Sequence, residues 1–190
     1  MTPLTPDDLI PLDEYVVRRA DFFAAHVRYC DRYRRVRVGP SLTLLFENRQ
    51  TLWFRAQEII RVARLSEPEL VQLELDWYNQ LLPLPGHLQA ILILEDGLAV
   101  TDDFEIELEL ESTVVAAKCM TARPADRATG GSQWLEFALF PAERKLLADH
   151  RWPVRFIAGY GGEQHVSAYL SDDVRQSLLD DLRISKRDAA

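Results

Sequence analysis

The feature that most constrains the fold is a change of hydrophobic period at Pro85-Gly86. Before it, apolar residues recur at helical spacing: Val16, Ala20, Phe23, Val27 and Cys30 form one stripe, and Leu70, Leu73, Trp77 and Leu81 form another. After it the period is two, most plainly at Phe104, Ile106, Leu108 and Leu110, which alternate with Glu105, Glu107 and Glu109. The first pattern gives a helix one face to bury, and the second does the same for a sheet. The expected fold class is therefore α+β: N-terminal helices packed on a mainly antiparallel sheet built after His87, with two short C-terminal helices. A single domain over residues 1–190, helical in 1–86 and sheet-rich in 87–190, accommodates both halves. At 190 residues and 47% hydrophobic, the chain can bury an ordinary core without staples.

Local punctuation refines this outline. Thr5-Pro6-Asp7-Asp8 reads as a capping box with proline at the first helical position, and a long helix follows over Leu12–Arg35. Gly39-Pro40 ends that element, and Leu42–Phe46 reads as a strand. Asn48-Arg49 is then expected to turn the chain into a second strand, Thr51–Phe54, before a helix from Ala56; one helix over Thr51–Leu65 is the alternative, because Leu52, Ala56, Ile59, Ile60 and Ala63 keep helical spacing. Ser66-Glu67-Pro68-Glu69 looks like a second capping box, launching a helix that Pro83 and Pro85 stop. Strands are expected at Leu88–Leu94, Phe104–Leu110, Val114–Cys119, Trp134–Phe140, Val154–Tyr160 and Val166–Leu170, with helices at Pro141–Asp149 and Asp172–Ile184. Asp96-Gly97 reads as a turn and Arg123–Ser132 as a flexible loop; Trp77 and Trp134 read as core.

Charge narrows the function classes. The net charge of −8 is uneven: residues 1–65 sum to +3 and the remainder to −11. The acidic part would repel phosphates, so no nucleic-acid partner is expected. No apolar run approaches the length of a membrane helix and no signal peptide is evident, so a cytoplasmic protein without a membrane partner is expected. Cys30 and Cys119 stand far apart in apolar surroundings and read as two buried free thiols.

Catalytic motifs are missing from the string. There is no CxxC, HExxH, GxGxxG or GxxxxGK[ST], no Glu is followed three residues later by His, and Gly159–Gly162 stands between strands like a hairpin turn. His26 and Cys30 share one helical face at ligand spacing, but further ligands would have to come from distant residues, so they are only weak metal candidates and no cofactor is expected.

The chemistry is densest from Arg34 to Arg64, where seven arginines thread an apolar segment. Arg34, Arg35 and Arg37 can crowd guanidiniums at a helix end, either to pair with local acids and the helix dipole or to bind an anion bidentately. Glu58 and Arg61 lie three apart, and Glu74 and Tyr78 four apart, so each pair shares a helix face. They read as structural ion pairs or, in a pocket, as acid–base groups.

The string RRVxxGPxxTLLFENR over Arg34–Arg49, QEIIR over Gln57–Arg61 and ExxxYNxLLP over Glu74–Pro83 resembles an uncharacterised bacterial family catalogued as domain of unknown function 3501. A looser likeness runs from Trp134 to Leu182, while Ala99–Ser132 departs from the pattern. The resemblance implies a setting in peroxide or thiol redox metabolism, since genes of that family often stand beside rubrerythrin and an iron-sulfur protein resembling a heterodisulfide reductase subunit. Two function classes follow. The first is an accessory or ligand-binding protein using Arg34, Arg35, Arg37, Arg49, Glu58, Arg61, Glu74 and Tyr78 to hold a redox protein or a small anionic ligand. The second is a small enzyme acting on an anionic or thiol-derived metabolite through an Arg/Glu/Tyr site.

Overall fold

The computed structural model describes residues 1–94, 104–111, 113–120, 132–160 and 162–182. A 3-10 turn, Pro6–Asp8, precedes helix α1 (Leu12–Tyr33). Thr5 closes that turn by donating its N–H and its hydroxyl to Asp8 Oδ2, at 2.8 and 3.0 Å. Strands β1 (Arg35–Val38) and β2 (Leu42–Glu47) form a hairpin. Its turn needs Gly39: φ is +64°, and a Cβ there would lie 2.9 Å from the His165 side chain. Helices α2 (Arg49–Ala63) and α3 (Pro68–Gln80) follow. The remaining strands are β3 (His87–Leu94), β4 (Glu105–Leu110), β5 (Thr113–Ala116), β6 (Lys118–Cys119), β7 (Ser132–Ala138), β8 (Val154–Tyr160) and β9 (Glu163–Val166). Helices α4 (Pro141–Ala148) and α5 (Asp172–Asp181) flank β8 and β9 in sequence.

The strands make two antiparallel sheets, β1-β2-β3-β7-β6 and β5-β4-β8-β9. They face each other across one core. Phe46 from β2, Phe137 from β7 and Phe156 from β8 meet at its centre, with ring centroids 5.3 to 6.2 Å apart. The opposite face of the larger sheet carries Ile91 and Trp134, and these pack on Leu52 and Ala56 of α2 and Leu75 of α3. That sheet is thus buried on both faces, and β2 accordingly is buried at all six positions. The smaller sheet turns its outer face to water, and on it Arg155 pairs with Glu109 directly across the ladder.

The α+β expectation holds, with local corrections: α1 buries Tyr15 and Cys30 and leaves Val16 and Phe23 of the expected stripe exposed, and the strand expected at Val166–Leu170 lies instead at Glu163–Val166. β1 and β2 belong to the larger sheet, so that sheet is not built only from residues after His87. Asn48 starts a helix instead of turning a hairpin: its Oδ1 accepts the N–H groups of Gln50 and Thr51 at 3.0 and 3.1 Å, and the Thr51 hydroxyl accepts the Asn48 N–H at 2.8 Å. The second box does not form as expected, because Pro68 takes the first helical position and makes Glu67 the cap, without a side-chain bond. Helix α3 buries Leu75, not the stripe of Leu70, Leu73 and Trp77, which stays exposed. Val114–Cys119 divides between two sheets as β5 and β6, and Cys119 is exposed where a buried thiol was expected; both cysteines are unbridged. Trp134 is in the core as expected. Asp96-Gly97 and Arg123–Gly131 lie outside the described residues.

The orientation of α3 is directly testable. Leu75→Ala should lower stability by about 2–5 kcal/mol in urea unfolding, whereas Leu73→Ala should change it by less than about 0.5 kcal/mol. Equal losses at the two positions would contradict the packing described.

Candidate functional site

The arginine-rich region divides between the interior and the surface. Arg34 follows the last turn of α1, its N–H bonded to Cys30 O at 2.9 Å, and its side chain is wholly buried. All five guanidinium hydrogens have acceptors. Nε donates to Phe46 O at 3.0 Å, Nη1 to Ser177 Oγ and O at 2.8 and 3.4 Å, and Nη2 to Glu47 O at 3.2 Å and to the Asp181 carboxylate. Burial drives the Asp181 carboxyl above its ordinary value, opposed by the Arg34 charge and by a hydrogen bond from Asn48. Asn48 Nδ2 also donates to Tyr29 Oη at 2.8 Å. Arg34 therefore has nothing left to offer a ligand.

Arg35 and Arg37 point the other way. They alternate with buried Val36 and Val38 on β1, the edge strand of the larger sheet, so both guanidiniums share its solvent side. Together with Arg32 they line a groove of about 420 Å³ whose far wall includes Tyr169 and Ser171. Arg35 pairs with Asp31 at 3.3 Å and Arg32 with Asp173 at 2.9 Å, both in solvent-exposed positions. Exposed pairs of this kind contribute about 0–1 kcal/mol each, so an incoming anion can exchange with them. Planar guanidiniums on one face suit carboxylate or phosphate.

The other candidates lie elsewhere. Arg49 donates to Thr2 O at 3.0 Å and to Asp8 at 2.7 Å, in a separate shallow depression with Gln50 and Trp53. Glu58 accepts from Tyr15, Arg19 and Arg61 at 2.8 to 3.3 Å, joining α1 to α2. Burial alone would raise the Glu58 carboxyl, but the bonds from Arg19, Arg61 and Tyr15 outweigh it and hold it near 2. Glu74 and Tyr78 are half-buried on α3, where Tyr78 packs on the Leu52–Leu75 cluster and lies within electrostatic reach of Arg55. Of the eight candidates, Arg35 and Arg37 share one groove and Glu58 pairs with Arg61, while Arg34 and Arg49 lie apart from both.

His26 and Cys30 do meet, with Nε2 3.4 Å from Sγ, and the imidazole stacks on Phe54 at 3.9 Å. Burial, reinforced by Glu47, pushes the thiol up to about 11, while burial lowers His26, so the pair rests as neutral thiol and neutral imidazole at pH 7. Among the described residues no group of three His, Cys, Asp or Glu side chains is placed to hold a metal ion.

Several polar residues escaped the sequence reading. Glu47, at the end of an apolar strand, is fully buried and takes Arg55 Nε at 2.7 Å. Gln57 and Asn79 clamp the N-terminal segment by paired bonds to Ile10 and Leu4 main-chain atoms, at 2.6 to 3.0 Å. Arg175 caps the end of α4 through the carbonyls of Leu146, Leu147, Asp149 and Trp152. The only advance signal was a polar residue inside an otherwise apolar stretch.

The model of a family described as "Protein of unknown function (DUF3501)" matches residues 3–182. A crystal structure of a novel protein of unknown function from Burkholderia pseudomallei K96243 superposes with a TM-score of 0.82 at 24% identity, covering 95% of this chain and 100% of that one. At that identity the likeness carries the fold alone. Among curated proteins nothing matches significantly. No helix among the described residues is long and apolar enough to cross a membrane.

Two outcomes test the buried and half-buried ion pairs. Arg34→Ala should cost about 3–5 kcal/mol by leaving Asp181 buried without its partner, and adding Asp181→Ala should recover part of that loss. Strict additivity in the double-mutant cycle would deny the pairing. Glu58 has a folded value near 2 against an ordinary 4.5, so its contribution is present above about pH 4.5 and is lost as pH falls toward 2. The stability gap between the parent and Glu58→Gln should therefore be widest at neutral pH, on the order of 2 kcal/mol, and should close between pH 4.5 and 2. A gap that widens on acidification would overturn the assignment.

Proposed function

The chain belongs to the DUF3501 family, described only as of unknown function, and on that premise we propose that it is a binding protein, not a catalyst, whose β1 groove holds an acidic partner surface or a small anion. Supporting this most directly is the juxtaposition of Arg35 and Arg37 on one face of an exposed edge strand. Arg32 and Tyr169 extend the same wall with a third cation and an exposed aromatic ring, residue types that dominate interface energetics. Asp31 and Asp173 hold two of these guanidiniums in place in the unbound protein and are displaced as partners arrive. In the redox-linked setting that the family resemblance implies, the partner is an acidic face of a redox protein. The enzymatic alternative through Glu58, Arg61, Glu74 and Tyr78 is less well supported, because Glu58 is already engaged by three donors.

The test is a variant carrying Arg35→Ala and Arg37→Ala, assayed against rubrerythrin and against inorganic phosphate. Both sites are exposed, so melting should shift by no more than a few degrees, while affinity should fall by a factor of about 10 or more and the salt dependence should flatten. Unchanged affinity with a lowered melting temperature would assign these arginines to stability and remove the proposal.

A further inference from the structure

The β1 groove lies where the two sheets part, and its walls narrow the kind of partner it takes. The bond from Phe46 N–H to Arg34 O at 2.9 Å sets the phase of the β1–β2 ladder. Val36 and Val38 therefore turn their main-chain groups toward β2, and Arg35, Arg37 and Gly39 turn theirs to the outer edge. At one end of that edge the smaller sheet closes on it, with Gly39 N–H bonded to Val166 O at 3.2 Å and Val38 bridged to Ser167. From Ser167 onward the chain follows β8 instead, through Ser167 N–H to Phe156 O at 2.9 Å and Leu170 N–H to Val154 O at 2.8 Å. The groove of about 420 Å³ fills the wedge left between the two edges.

Both walls present strand edges and not strand faces. Consecutive residues line each of them, Arg35, Val36 and Arg37 on one side and Ala168, Tyr169 and Leu170 on the other, whereas a face would offer every second residue. Among the described residues no main-chain group takes up the N–H or C=O of Arg35. Side chains alternate along the same edge. Val36 points into the core, where Leu170 and Val174 join it as an apolar floor, and Arg35 and Arg37 stand above it with Arg32. An exposed strand edge is where extended peptides add as a further strand, its main chain giving affinity and the alternating side chains giving specificity.

We propose, on the premise that the groove is the binding site, that it takes an extended peptide segment in which acidic and apolar residues alternate, added as a strand on the outer edge of β1. Residues directly opposite in a ladder share a face, so the segment's residue opposite Arg35 is acidic and its neighbour opposite Val36 is apolar. The acidic residue exchanges main-chain hydrogen bonds with Arg35 and sets its carboxylate against that guanidinium, taking the place of Asp31, which lies 3.3 Å from Arg35 Nε in the unbound protein. The apolar residue descends onto Val36, Leu170 and Val174. A phosphate or a folded acidic surface uses the guanidiniums alone and leaves the edge and the floor unfilled. A second copy of this edge would set arginines against Arg35 and Arg37, which like-charge repulsion opposes.

The experiment is titration calorimetry and amide hydrogen exchange of the full chain with acetyl-Asp-Val-Asp-Val-Asp-amide. It is set against acetyl-Asp-Asp-Asp-Val-Val-amide, which keeps charge and composition but loses the alternation, against the alternating peptide N-methylated at its aspartates, and against inorganic phosphate. The alternating peptide should bind at least about ten times more tightly than any of these. It should also slow exchange of the Arg35 amide by a factor of about ten or more, which phosphate should not do. Leu170→Gln, at a half-buried position, should weaken the alternating peptide by a factor of about three to ten and leave phosphate unchanged. Equal affinity for the two unmethylated peptides, lost in Arg35→Ala/Arg37→Ala, would leave the groove as the site and overturn the added strand. Phosphate binding that depends on Arg35 and Arg37, with no binding of the alternating peptide or no protection of the Arg35 amide, would do the same. Binding of the alternating peptide that survives in Arg35→Ala/Arg37→Ala would overturn the groove itself and the added strand with it.

Discussion

The guanidinium of Arg34 is the contact on which the rest of the structure depends. It stands where α1 ends and β1 begins, and its hydrogens reach the end of β2 and the inner side of α5. One side chain thus ties together the N-terminal helix, the larger sheet and the C-terminal helix. A buried charge is expensive, and it is tolerated only where every donor finds an acceptor and a counter-ion is close. Phe46, Glu47, Ser177 and Asp181 supply that environment, and Asn48 extends it by bonding Asp181 while capping α2. The same side chain that starts α2 as a helix therefore also orients the counter-ion of Arg34.

The double coverage of the larger sheet follows from this arrangement. With α1 and α5 anchored at one end of β2, one sheet face meets the smaller sheet and the other meets α2 and α3. A strand buried on both faces cannot alternate apolar with polar residues, and Leu42–Glu47 does not. The edge strand β1 keeps a solvent side, and Arg35 and Arg37 occupy it. Register puts Arg35 and Arg37 on the same face of the larger sheet as Leu45 and Glu47, so the exposed arginines and the buried Glu47 share that face and differ in burial.

Much of the fold was legible in local pattern. Alternation marked β4, and helical spacing marked α1 as a helix. Where local pattern offered two solutions it misled: Asn48-Arg49 has the composition of a turn, yet the carboxamide found the amides of a helix start. The stripe Leu70-Leu73-Trp77 has helical spacing, but Leu75 gained the core because α3 rotates to meet Ile91 and Trp134. Cys119 looked apolar by its neighbours and is exposed because β6 is a two-residue strand at the sheet edge.

By itself, then, the sequence determined most of the secondary elements, the α+β class and the arginine enrichment, because period, caps and composition are properties of neighbouring residues. The tertiary structure alone decided which arginine is interior and which is surface. Arg34 and Arg35 are adjacent and chemically identical, and what separates them is Asp181, 147 residues from Arg34 in the chain. The cross-strand row of Glu47, Gln89, Glu136 and Lys118 was equally invisible, since it exists only through strand register among β2, β3, β7 and β6. A charge's burial depends on partners that meet only when the chain has folded, and no local pattern encodes that meeting.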